Sequence, residues 1–172
     1  MVDLIKFSNL NRLNDLPINI GNILLKNDIL AKSLKHNTKD ALIKNITIKE
    51  KQSLINQSDS INRRILFQPF NDETISDERS ELRIYIFELN SENHILSEVI
   101  IGFEIIVNNE LWLLNNGKQR ALIILEELFK SLNDVDINGI GSLRFYNDYP
   151  CRIRFYNKNF TGYNLMMKTR LT

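Results

Sequence analysis

The sequence predicts an α+β domain: a mostly antiparallel β-sheet with one long amphipathic helix packed on it, preceded by an N-terminal helical region. Three observations carry that expectation. Apolar residues alternate along 82–89 and again along 96–107, and Asn90-Ser-Glu-Asn93 between them has turn composition, so the pair reads as a β-hairpin. Ala121, Ile124, Leu125, Leu128 and Leu132 then repeat at intervals of three and four, an amphipathic helix that needs a sheet face to cover its stripe. Three more alternating segments follow at 143–147, 151–157 and 160–168.

Taken in order, residues 1–19 are mixed in character around Pro17 and read as an N-terminal arm; a single α+β domain is expected over 20–172, helical over 20–56. Ile20, Ile23, Leu24, Leu30, Ala31 and Leu34 have helical spacing, interrupted at Asn27-Asp28. Thr38 is placed to cap a second helix over 40–55, although Ile43, Ile46, Thr47 and Ile48 are β-branched there. Residues 57–62 are mostly polar, a linker into the sheet-and-helix part at 64–170. Ile65-Leu66-Phe67, stopped by Pro69, suits an edge strand. Residues 71–81 form a polar, acidic connection. Leu82, Ile84 and Ile86 share one strand face, with Arg83, Tyr85 and Phe87 on the other; Val99, Ile101, Phe103, Ile105 and Val107 share a face of the next strand. Gly139-Ile-Gly141 marks a turn that needs positive φ or close backbone approach. In the 151–157 strand, Ile153 and Phe155 are expected to face the core and Arg152 and Arg154 to face outward.

Composition excludes several classes. At 172 residues, 43% hydrophobic and 25% charged, the chain has the makeup of one folded domain and not of a disordered tail or rod. No apolar run approaches the roughly 20 residues that cross a bilayer, and the N-terminus lacks the charged and apolar regions of a signal peptide. A protein made and kept soluble inside the cell, without membrane contact, is expected. The single cysteine, Cys151, cannot form an internal disulfide. Net charge is +1, against the strong basic excess of proteins that grip a phosphate backbone. The 23 Asn and 24 Ile residues suit a low-GC genome. Charge is uneven along the chain: +3 over 1–60, −7 over 61–136 and +5 over 137–172. An acidic middle and a basic end provide two unlike patches through which copies can meet.

A search for catalytic chemistry returns nothing with the right spacing. His36 and His94 have no neighbouring Cys or paired carboxylate, so no zinc set forms, and no P-loop or dinucleotide motif occurs. Arg152 and Arg154 flank Cys151, a setting that can lower a thiol pKa, but no histidine base is near in sequence and a small strand cysteine reads as a packing residue. The carboxylates Asp72, Glu73, Asp77, Glu78 and Glu81 crowd one connection, where a metal enzyme would hold them on rigid elements. No cofactor is expected, and the protein is not expected to be an enzyme. Arg144-Phe-Tyr146 and Arg152-Ile-Arg-Phe-Tyr156 interleave cations and aromatics, which supports an alternative reading as a nucleic-acid-binding module.

The order of segments resembles a family of tailed-bacteriophage neck proteins: tail-completion or tail-terminator proteins and head–tail connector rings. The resemblance is carried by Leu24–Leu34 running into His36–Asp40; by Ile65-Leu-Phe-Gln-Pro-Phe70 leading to Glu81–Ile86; by Ile100–Val107, Leu111-Trp-Leu-Leu114 and Gly117-Lys-Gln-Arg120; and by Gly139–Phe145 with Phe160–Leu165. It spans roughly 20–168 and implies a virion protein, made in the host cytoplasm. Copies would form a sixfold or twelvefold ring against other neck, portal-adaptor or tail proteins, with genomic DNA passing through the lumen without sequence-specific binding. The candidate subunit interface is then Asp72, Glu73, Asp77, Glu78 and Glu81 on the acidic side, Arg144, Arg152 and Arg154 on the basic side, and Trp112 as an apolar anchor.

Overall fold

A computed structural model of the chain describes residues 2–70, 77–92, 95–137 and 140–170, with side chains from residue 12 onward except 91–97. The elements are α1 (Val2–Leu24), α2 (Asp28–Lys35), α3 (Ile48–Ser53), β1 (Ile65–Leu66), β2 (Ser80–Glu92), β3 (Ile95–Asn108), α4 (Arg120–Leu132), β4 (Arg144–Phe145), β5 (Arg152–Asn157) and β6 (Phe160–Arg170). The expected α+β architecture is present, but its first helix is longer than the sequence reading allowed. Residues 2–19 are not an arm; they belong to the same helix as Ile20. Leu13, Leu16, Ile20 and Leu24 step by three and four and are buried, so the apolar stripe starts before Pro17. Pro17 removes one helix N–H, a local loss that the buried stripe on both sides of it offsets.

Local capping decides where the next helices start. Asn27, an interruption in the apolar pattern, is the N-cap of α2: its side chain accepts from the Leu30 N–H at 3.1 Å. The same amide donates to Glu127 at 2.8 Å and to Ser131 at 3.1 Å, joining the start of α2 to the end of α4. The helix expected over 40–55 is split. A 3₁₀ turn at Ala41–Ile43 precedes α3, which Thr47 and Glu50 open with a reciprocal capping box; Thr38 caps no helix.

The sheet runs β1-β2-β3-β6-β4, and β5 also pairs with β6, alongside β4 in the same layer. β1 pairs parallel with β2; every other pairing is antiparallel. β2 and β3 are the expected hairpin, with register shifts at Ile86/Glu88 and Asn90/Ser91. Its turn residues 93–94 lie outside the described residues. Val99, Ile101, Phe103, Ile105 and Val107 are all fully buried, in one core with the inner faces of α1, α2 and α4. Ile100 and Ile106, on the opposite face of β3, are buried as well. β3 is thus covered on both faces and paired on both edges, the centre of the molecule.

Two glycines are required by close approach. A Cβ on Gly162, in mid β6, would overlap the Ile105 carbonyl of β3, and one on Gly141, at φ 130°, would strike the Arg170 carbonyl.

Arg120, the first residue of α4, is fully buried. Its guanidinium donates to the carbonyls of Leu111 (3.1 Å), Ser33 (2.9 Å), His36 (2.7 Å) and Thr38. Ser33 and His36 lie at the C-terminal end of α2, where unpaired carbonyls concentrate negative potential. The cation therefore closes α2 onto the start of α4 without a carboxylate, and burial lowers its pKa to about 10. Arg120→Ala is expected to cost on the order of 3–5 kcal/mol in urea denaturation, because several buried carbonyls lose their donor at about 1–3 kcal/mol each. Arg120→Lys, with no planar fork, is expected to recover less than half of that loss.

Candidate subunit interface

The sheet is wider than the helical layer that covers it, and β5 is where the cover ends. Four of its residues, Arg152 to Phe155, are exposed on both faces. The register assigns those faces. Ile153 pairs with Tyr163, which pairs with Ile105, so Ile153 and Phe155 lie on the side that carries the helices. Arg152 and Arg154 lie on the other side, with Asn164 and Glu104. The expected alternation is present, but the expected burial is not: Ile153 is 47% exposed and Phe155 79%. No helix reaches far enough to seal them.

Beside this strand are two open apolar grooves. One, of about 540 Å³, runs between Trp112 and Leu113 on one wall and Ile153, Phe155 and Tyr163 on the other. The second, of about 460 Å³, lies where Leu122 and Phe129 of α4 face Phe145, Cys151 and Leu165. Trp112 is half-buried, packed against the core and stacked on Tyr163 at 6.3 Å, so it serves as groove wall and as core side chain together.

The opposite sheet face carries a buried charge network. Glu81 is 0% exposed and held between Arg79 (2.6 Å) and Arg83 (2.8 Å), while Arg83 also donates to the Pro69 carbonyl at 3.0 Å. This corrects its expected place in an exposed acidic loop: Glu81 is a strand residue neutralised within its own chain. Glu104 accepts from the Phe70 N–H at 2.9 Å and sits 3.8 Å from Arg154. The ring of Phe70 lies under Arg83 and edge-on to Tyr156, 4.8 Å away. Alternation leaves Glu104 able to face solvent, yet both it and Arg83 are buried. Their only mark was a charge inside an otherwise apolar strand.

The remaining sequence-selected residues are dispersed. Asp77 and Glu78 are exposed ahead of β2, and Asp72 and Glu73 lie outside the described residues. Arg144 is exposed and pairs with Asp134 at 3.1 Å. The structure therefore brings together Arg152, Arg154 and Trp112 near one edge, while of the described acidic residues Asp77 and Glu78 are exposed and Glu81 is buried. The His36 ring lies 3.1 Å from the Asn45 carbonyl, and His94 is outside the described residues. Cys151 packs against the core, and burial pushes its thiol up. Among the described residues no group of His, Cys, Asp or Glu could hold a metal ion, and no helix is long and apolar enough to cross a membrane.

The geometry defines an α+β domain with an unsealed edge that presents apolar side chains on one face and arginines on the other. A family model described as YomW matches residues 27–169, and the chain belongs to the YomW family. That family is named after a gene of a Bacillus phage region, which makes this a phage-related protein. No curated protein matches the chain.

The charge network has a testable signature at high pH. Burial first, and then the Glu104 carboxylate, push the Tyr85 phenol up to about 12, and the same causes raise Tyr156. Between the ordinary tyrosine value near 10 and 12, the folded chain holds protons that the unfolded chain has released, so stability falls as pH rises through that window. Ultraviolet titration is expected to show Tyr85 and Tyr156 ionising late, together with unfolding. Tyr85→Phe should remove one late-ionising group.

Proposed function

We propose that the protein is a non-enzymatic structural component of a tailed phage, a ring-forming homo-oligomer at the head–tail junction. In this reading it completes or seats the tail, meets other neck, portal-adaptor or tail proteins, and leaves a channel through which genomic DNA passes. It would assemble in the host cytoplasm and reside in the virion. The observation that carries the proposal is β5: an edge strand with Phe155 79% exposed beside two apolar grooves is an aggregation hazard in a free monomer and an asset in an assembly. Membership of a phage-related family supports the setting. The choice of a ring, sixfold or twelvefold, and of the neck rests on the segment resemblance described above.

A nucleic-acid-binding role is the weaker reading. Arg152 and Arg154 project from the face opposite Ile153 and Phe155, so the strand does not interleave cations and exposed rings on one stacking platform. Retention of labelled DNA on a filter at about 50 mM salt would favour that role over ours.

The expected outcome of reversing Arg152 and Arg154 to Glu is a chain that folds, by circular dichroism, yet yields heads and tails that fail to join. Mass spectrometry of wild-type particles should find the protein in the virion. Normal particles from the double variant, or particles lacking the protein, would count against the proposal.

A further inference from the structure

We propose that β5 of one copy adds to the free edge of β2 in the next copy, so that the sheet continues from subunit to subunit. This deepens the ring reading by naming the two surfaces that meet, and it takes from that reading only that the partner is a second copy.

The sheet has two open edges. At one side, β5 has no strand beyond it among the described residues; outside the β5–β6 ladder the Arg152 N–H donates to the Asn164 side chain at 3.3 Å, and no backbone–backbone hydrogen bond involves residues 152–156. At the other side, β1 covers β2 only at Leu82 and Arg83; from Ile84 to Leu89 no described strand or backbone–backbone hydrogen bond occupies the outer edge. A six-residue strand and an open stretch of matching length are thus left at opposite ends of one sheet.

The two edges match face by face. On the helix side, β5 brings Ile153 and Phe155, and β2 brings Ile86 and the 44% exposed Leu89, which pairs with Val99. On the other side, β5 brings Arg152 and Arg154, and β2 brings Glu88, which pairs with Ile100. Continuing the sheet with the helices on one side sets apolar against apolar and cation against carboxylate. The symmetric alternatives keep the apolar match but lose the charge match. Pairing β5 with itself sets Arg152 and Arg154 against their own copies, and pairing β2 with itself opposes two Glu88 carboxylates. The contact is consequently head-to-tail, the kind that closes into a ring when its rotation divides the circle.

The test uses full-length chain with Cys151→Ser, which removes the sole cysteine. Arg152→Cys and Glu88→Cys are made separately in that background, checked by circular dichroism, then treated with a short bis-maleimide alone and mixed. Arg154→Cys replaces Arg152→Cys should the latter misfold. The expected result is a covalent species of doubled mass in the mixture and none from either variant alone. Cross-linking of the β5 variant to itself would overturn the inference, as would absence of the mixed species at millimolar chain concentration. Either failure leaves the neck reading standing, because that is decided by the particle and not by the purified chain.

Discussion

Everything distinctive in this molecule follows from a mismatch in width: three helices cover part of a sheet and leave the rest of the same face bare. β3 sits under the helices and is sealed on both faces. β5, two strands away, repeats the apolar alternation but meets no helix. Water contact with apolar surface costs about 25 cal/mol per Å², so such a strand stays in a sequence most readily when something else covers it. The buried Arg120 holds the helical layer where it is. By binding the last carbonyls of α2 to the first turn of α4 it fixes how far the layer extends, and so where the cover stops.

The two sheet faces divide the labour. One gathers the core and ends in grooves walled by Trp112 and Phe129. The other neutralises its charges internally, through Arg79, Glu81 and Arg83, with the aromatic rings of Phe70 and Tyr156 alongside. Arg154 stands between these roles, 3.8 Å from Glu104 and half exposed at the rim. A charge placed so can guide the approach of a partner and set its register, more than it adds to affinity.

The sequence made the centre of the fold legible and its margins less so. The hairpin and α4 announced themselves because one residue period ran through each without a break. The arm expected over 1–19 is helix instead, because Pro17 does not end the apolar stripe: Leu13 and Leu16 continue that of Ile20 and Leu24. The capping signals Asn27 and Thr47-Ile-Lys-Glu50 were available and would have placed α2 and α3. Arg120 and Glu81 were not readable as buried, since a charge at a core position looks like any other charge until its partners converge from residues 33–38 and 79–83. The interface gives the clearest case. Alternation in 151–157 correctly told which side chains share a face, but no local pattern tells whether a distant helix reaches that face.

The central claim is that β5 is covered by another molecule in the working state. Hydrogen–deuterium exchange on the purified chain and on intact particles measures this directly at those backbone amides of 153–157 that β6 does not bond. Rapid exchange in the isolated chain and strong protection in the particle is the result this account predicts. Equal exchange in the two states, with β5 as open in the particle as in solution, would contradict it.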